Sequence, residues 1–148
     1  MNWKMGRVVL LAVVLSACGG SLITLAQMPV YADAKEIPAS SSQLLDGITK
    51  LSKASPTLQR ILQAKEQKIY TLPKDAAWTT VNKYYEIQLD KLEFQIIPAS
   101  AALLENVKLP TDISAYQTAT WVRGSQTFSI IQVNAPGAVE LIVSLATP

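Results

Sequence analysis

The residue types that carry most enzyme chemistry are scarce in this chain of 148 residues, which has no histidine and a single cysteine, Cys18. Without imidazole the commonest general base is missing, and no Ser-His-Asp or Cys-His arrangement can be assembled. A lone thiol forms no disulfide within the chain, and sites built from several thiolates or imidazoles fall away with it. A serine–lysine pair is the remaining nucleophile–base option, with Ser52, Lys53 and Ser55 near Lys50 and with Ser16 just before Cys18. Hydrolases of that type carry S-x-x-K, and no serine here has a lysine three positions on. Asp90 and Glu93 are close in sequence but straddle the end of a predicted helix, where carboxylates are usually just solvated. Gly19-Gly20 and Gly124 make no phosphate-cradling loop. Trp78, Tyr84, Tyr85, Tyr116 and Trp121 are the residues suited to stacking on a sugar ring, yet such rings more often fill the core of a small domain. Trp78 and Trp121 are expected there. No catalytic residue, cofactor or metal is expected.

Cys18 has a different context. Lys4 and Arg7 place positive charge before the apolar run Val8 to Leu15, and Leu15-Ser16-Ala17-Cys18 follows, then Gly19-Gly20. This order of basic residues, apolar run, small residues and cysteine resembles the export signal and lipobox of bacterial lipoprotein precursors. The resemblance implies cleavage before Cys18, alkylation of its thiol with diacylglycerol, and a lipid anchor as the partner of the membrane. A second cleavage signal competes with the first. Apolar character resumes at Ser21 to Ala26, and Val30-Tyr31-Ala32 is a small-x-small site followed by Asp33, with Pro29 to break a helix. Cleavage after Ala32 would release a soluble protein, and an uncleaved anchor is a third reading. All three place the domain outside the cytoplasm, with attachment to the outer membrane favoured.

The body of the chain has little net charge. Hydrophobic residues make up 49% and charged ones 16%, below the ~25% usual for soluble domains. With Lys4 and Arg7 in the signal, the other eleven basic residues match the eleven acidic ones. A neutral body without a basic stripe argues against nucleic acid, and no nucleic-acid partner is expected, because phosphate neutralisation supplies most of that affinity.

The elements that must position any site follow from periodicity. The plan is an export signal over residues 1–17, a tether or linker over 18–42 ending in the polar run Ala34 to Ser42, and one small domain over 43–148. Leu44, Leu45, Ile48 and Leu51 recur at helical spacing, and Ser55-Pro56 starts a second helix faced by Leu58, Ile61 and Leu62. Lys68 to Leu72 reads as a strand. Trp78, Val81, Tyr85, Leu89 and Leu92 share one face of a helix over about Ala76 to Lys91, with Asp75 as its cap. Glu93 to Ile97 reads as another strand, while Ala99 to Pro110 fits a helical turn and an irregular connection equally.

Ala115 to Arg123, Gln126 to Asn134 and Ala138 to Ala146 are strands rich in Thr, Val, Ile and aromatics, joined at Gly124-Ser125 and Pro136-Gly137. These two turns set one register. Trp121 then faces Phe128, Ala119 faces Ile130, and Leu141, Val143 and Leu145 join the same surface. The fold class is therefore α+β: an N-terminal helical segment, a strand–helix–strand unit, and a three-stranded antiparallel meander with the helix packed on one face. Tyr116, Ile131, Val133 and Ile142 lie on the other face, nearly free of charge. That face is a candidate binding surface unless the Leu44–Leu62 helices cover it. The order of elements is similar to small domains of lipoproteins that assist outer-membrane assembly, a likeness that carries no residues over. The expectation is a non-enzymatic envelope lipoprotein binding a protein or an envelope component; a soluble periplasmic binding protein and a small periplasmic hydrolase are the alternatives.

Overall fold

The computed structural model describes residues 20–53, 55–98 and 113–148. Cys18 and the whole Ala99 to Pro110 stretch lie outside them, as does the cleavage site before Cys18. The domain is α+β, with helices on both faces of a six-stranded antiparallel sheet. The strands are β1 (Lys35–Ile37), β2 (Glu66–Thr71), β3 (Gln95–Ile97), β4 (Ala115–Arg123), β5 (Gln126–Ala135) and β6 (Ala138–Ala146), in the spatial order β1-β2-β6-β5-β4-β3. The expected three-stranded meander thus accounts for only half of the sheet. β2 adds to the free edge of β6, β1 adds to β2, and β3 adds to β4.

Two tight turns hold the long strands in register. Gly124 and Gly137 adopt φ of 56° and 87°, a left-handed conformation that a side chain disfavours. Trp121 pairs with Phe128, and Ala119 with Ile130. Phe128 then pairs with Leu145, and Ile130 with Val143. Because side chains alternate along a strand, this pairing puts every large ring of β4 and β5 except Tyr116 on one face.

α3 (Trp78–Asp90) packs on that face through buried Val81, Tyr85 and Leu89. It starts two residues later than periodicity suggests, and Asp75 does not cap it. Ala76 is committed elsewhere: its N–H donates to the Pro73 carbonyl at 3.0 Å, and its carbonyl accepts from Gln132 Nε2 at 2.9 Å. Tyr85, Phe94 and Trp121 surround Phe128 at ring separations of 5.7, 6.3 and 6.0 Å. Trp121 is buried, and Trp78 is half-buried against the same core.

α1 (Leu45–Ser52) and α2 (Pro56–Leu62) pack on the opposite face. Ser55 caps α2 by accepting from the Leu58 N–H, with Pro56 in the first turn. Leu44, Ile48, Leu51, Leu58 and Ile61 close over Ile69, Ile131, Val133 and Ile142 in a second, aliphatic core. Tyr116 is half-buried at its margin. The candidate binding surface is consequently not open: Ile131, Val133 and Ile142 are buried beneath two helices, whose apolar stripes have no other surface to cover.

The largest departure from the sequence reading concerns residues 20–42. They are part of the domain and not a tether. A single 3-10 turn, Leu25–Gln27, opens a strap along the aromatic face; Lys35–Ile37 pairs as an edge strand, and a second 3-10 turn, Ala39–Ser41, leads the chain round to α1. Among the described residues, no helix is long and apolar enough to cross a membrane.

Candidate functional site

The strap over residues 20–34 is where the structure concentrates its long-range polar contacts, and its anchors come from far along the chain. Gln126 is the first residue of β5 and is buried. Its side-chain amide clasps Ile23 on both sides, accepting from the Ile23 N–H at 3.0 Å and donating to the Ile23 carbonyl at 2.7 Å. The same Nε2 donates to Thr147 Oγ1 at 3.1 Å, tying the C-terminal end into the clasp. Glu66, at the start of β2, accepts the Leu25 N–H at 2.8 Å. Arg123 Nη1 donates to the Ser21 carbonyl at 3.1 Å. Where the strap enters, a Cβ on Gly20 would stand 2.8 Å from Arg123 Nη2, so the missing side chain lets the guanidinium lie across the backbone.

These bonds matter because the strap has little regular structure. Backbone groups near a core must find partners, and a segment without a ladder takes them from side chains. With its polar groups satisfied, the strap places Leu25 and Met28 in the aromatic core, with Ile23, Tyr31 and Ala34 packed beside them. The alternative cleavage signal is itself folded. Val30 accepts a hydrogen bond from Tyr84 Oη at 2.7 Å, and the Tyr31 ring stands edge-on to Tyr84 at 5.4 Å. Asp33 turns the chain into β1 with φ of 61°, a conformation that Asp tolerates better than most residues.

The second face has its own anchor. Glu140 is buried on β6 and accepts from Ser42 Oγ at 2.5 Å and from the Gln43 N–H at 3.0 Å. Ser42 Oγ in turn accepts the Leu45 N–H at 3.0 Å, so one carboxylate fixes the start of α1 against the sheet.

The other residues considered for chemistry do not assemble. Ser52 is buried and donates to the Thr49 carbonyl, while Ser55 serves as a helix cap. Lys50 pairs with Asp46 at 2.7 Å, and Lys53 is exposed. Asp90 and Glu93 are exposed, with Glu93 3.9 Å from Arg123. No cluster of acidic or thiol side chains suited to a metal occurs among the described residues. Burial raises the phenol pKa of Tyr70, Tyr84, Tyr85 and Tyr116, most strongly for Tyr85 between α3 and Phe128.

Tyr116, Ile131, Val133 and Ile142 are brought together, for Tyr116 pairs with Val133 and Ile131 with Ile142. What they form is a core. The clasp of Gln126, Glu66 and Arg123 was not foreseen. A glutamine at the first position of a strand, followed by alternating apolar residues, was its only sequence signal. Searched against protein-family models, curated proteins and solved structures, the chain matches none of them.

Proposed function

We propose that the chain is a non-enzymatic lipoprotein of the bacterial envelope, cut before Cys18 and anchored through lipid on that residue. Its small domain binds a protein or another envelope component outside the cytoplasm. The observation that carries this reading is the strap. Cleavage after Ala32 would remove Leu25 and Met28 from the aromatic core and leave Gln126, Glu66 and Tyr84 without the backbone groups they hold. Losing a buried Leu or Met side chain costs about 2–5 kcal/mol. Two such losses are comparable to the whole stability of a small domain, about 5–15 kcal/mol. Cleavage before Cys18 leaves the strap whole. The strap therefore supports the lipobox over the site after Ala32.

The non-enzymatic part of the reading rests on the missing imidazole and on the use of Gln126, Glu140, Ser42 and Ser55 as structural anchors. The test is the intact mass and first residue of the mature protein purified from a bacterial envelope. A chain beginning at Cys18 and carrying a diacylglyceryl group is expected, and Cys18→Ala should abolish labelling by a fatty-acid probe. A chain beginning at Asp33, or an uncut one, overturns the proposal.

A further inference from the structure

Resting on the lipoprotein reading, we infer that the domain has no flexible reach from its anchor and sits directly on the bilayer, with the β4–β5 hairpin end facing the lipid headgroups. Gly20, the first of the described residues, lies beside Arg123 at the end of β4. Two peptide units separate Gly20 from Cys18, a span of at most about 7 Å. A lipid on Cys18 therefore brings this end of the sheet to the headgroup level. The opposite end, with Lys74 and the Pro136-Gly137 turn, stands away by the length of the strands, about 30 Å for ten residues.

The residues at the anchored end suit that position. Leu22 is 61% exposed, the most exposed large apolar side chain among the described residues. Its exposure is not slack, because both neighbours are pinned: the Ser21 carbonyl by Arg123, and both backbone groups of Ile23 by Gln126. The backbone thus holds an apolar side chain outward, four positions beyond the proposed lipid attachment, where an apolar–aqueous interface would receive it. Arg123, Gly124 and Ser125 close the same end, where the exposed Glu93 carboxylate, 3.9 Å from the Arg123 guanidinium, offsets its charge. The apolar Leu22 side chain and the short tether therefore carry the seat. The partner surface is a phospholipid bilayer.

Fluorescence quenching tests the seat. The full chain is expressed in a bacterium as S125C or as K74C, labelled with a maleimide fluorophore, and reconstituted in phosphatidylethanolamine–phosphatidylglycerol vesicles doped with a headgroup spin-label quencher. Both sites are exposed, one at each end of the sheet. Several-fold stronger quenching at position 125 than at 74 is expected. A flexible Gly-Ser insert of about 20 residues between Gly19 and Gly20, spanning about 25 Å, should bring the two signals together. Equal quenching without the insert, or a contrast that survives it, overturns the seat while leaving the anchor intact. The parent chain, labelled and weighed alongside, separates the two failures. If Cys18 reacts with maleimide and the mass shows no lipid, the lipoprotein reading falls and the seat falls with it.

Discussion

One face of the sheet is closed by rings and the other by branched aliphatic side chains, and the two covers are built differently. The aromatic face takes its cover from two distant stretches, the strap over residues 20–34 and α3. The aliphatic face takes its cover from one contiguous stretch, α1 and α2. A helix satisfies its own backbone, so α1 and α2 need only an apolar stripe and one anchor at Glu140. An irregular strap cannot do this, and Gln126, Glu66, Arg123 and Tyr84 supply what it lacks. Polar side chains at strand ends are thus used to stitch on a piece of core that local structure alone would not hold. The comparison also shows why no open binding face was found on the sheet: each face has a cover drawn from this chain.

Removing the strap should have the largest effect on this comparison. Residues 33–148, compared with residues 20–148, lose two buried side chains and the partners of Gln126 and Glu66. The shorter chain is expected to be unfolded or aggregated by circular dichroism and size exclusion, while the longer melts cooperatively. A stable monomer of the shorter chain would mean that the strap is decoration.

Ile131→Asp comes next, and it probes the aliphatic side. Ile131 is buried under α1 and α2, so an unpaired carboxylate there should unfold the domain and not merely change its association. A folded variant with altered oligomeric state would show that the helices lift away from this face.

On the aromatic side, Trp121→Ala should cost about 3–5 kcal/mol, against about 2–5 kcal/mol for Ile142→Ala on the other face. Urea melts of both variants would rank the two cores. A normal melt for Trp121→Ala, with loss of an interaction, would assign the ring to a site.

The two anchors can be compared at a smaller scale. Gln126→Ala and Glu140→Ala each leave buried groups unpaired, at about 1–3 kcal/mol apiece. Their difference should be regional in hydrogen exchange, with Gln126→Ala exposing the Ile23 and Leu25 amides and Glu140→Ala exposing the start of α1. Protection lost evenly across the molecule would show that the anchors are not local devices.

The smallest effect is alkaline. Burial raises the Tyr85 phenol above its ordinary value of 10.0, so the unfolded chain ionises first as pH rises. The native state then binds more protons than the unfolded one, and stability falls from about pH 10 upward while staying intact below it. Melting temperatures between pH 8 and 11 should show this decline, and Tyr85→Phe should flatten it. An unchanged slope in that variant would move the effect to Tyr70, Tyr84 or Tyr116.

Much of the architecture was legible in the residues themselves. Glycine at positions 124 and 137 and alternation along three strands are local rules, and together they determined the pairing of Trp121 with Phe128 and of Ile131 with Ile142. The stripe of Val81, Tyr85 and Leu89 determined the buried side of α3 in the same way. The missing histidine bounded the chemistry before any coordinates. Residues 20–42 were decided only by the tertiary structure. An apolar run such as Leu22 to Ala26 has one composition whether it belongs to an export signal or to a core, since both environments reject water. The features that separate the two are partners 41 and 103 positions away, Glu66 for Leu25 and Gln126 for Ile23. No local pattern records such a pairing. Only the sheet, by bringing the starts of β2 and β5 to one end, makes those side chains available to the strap.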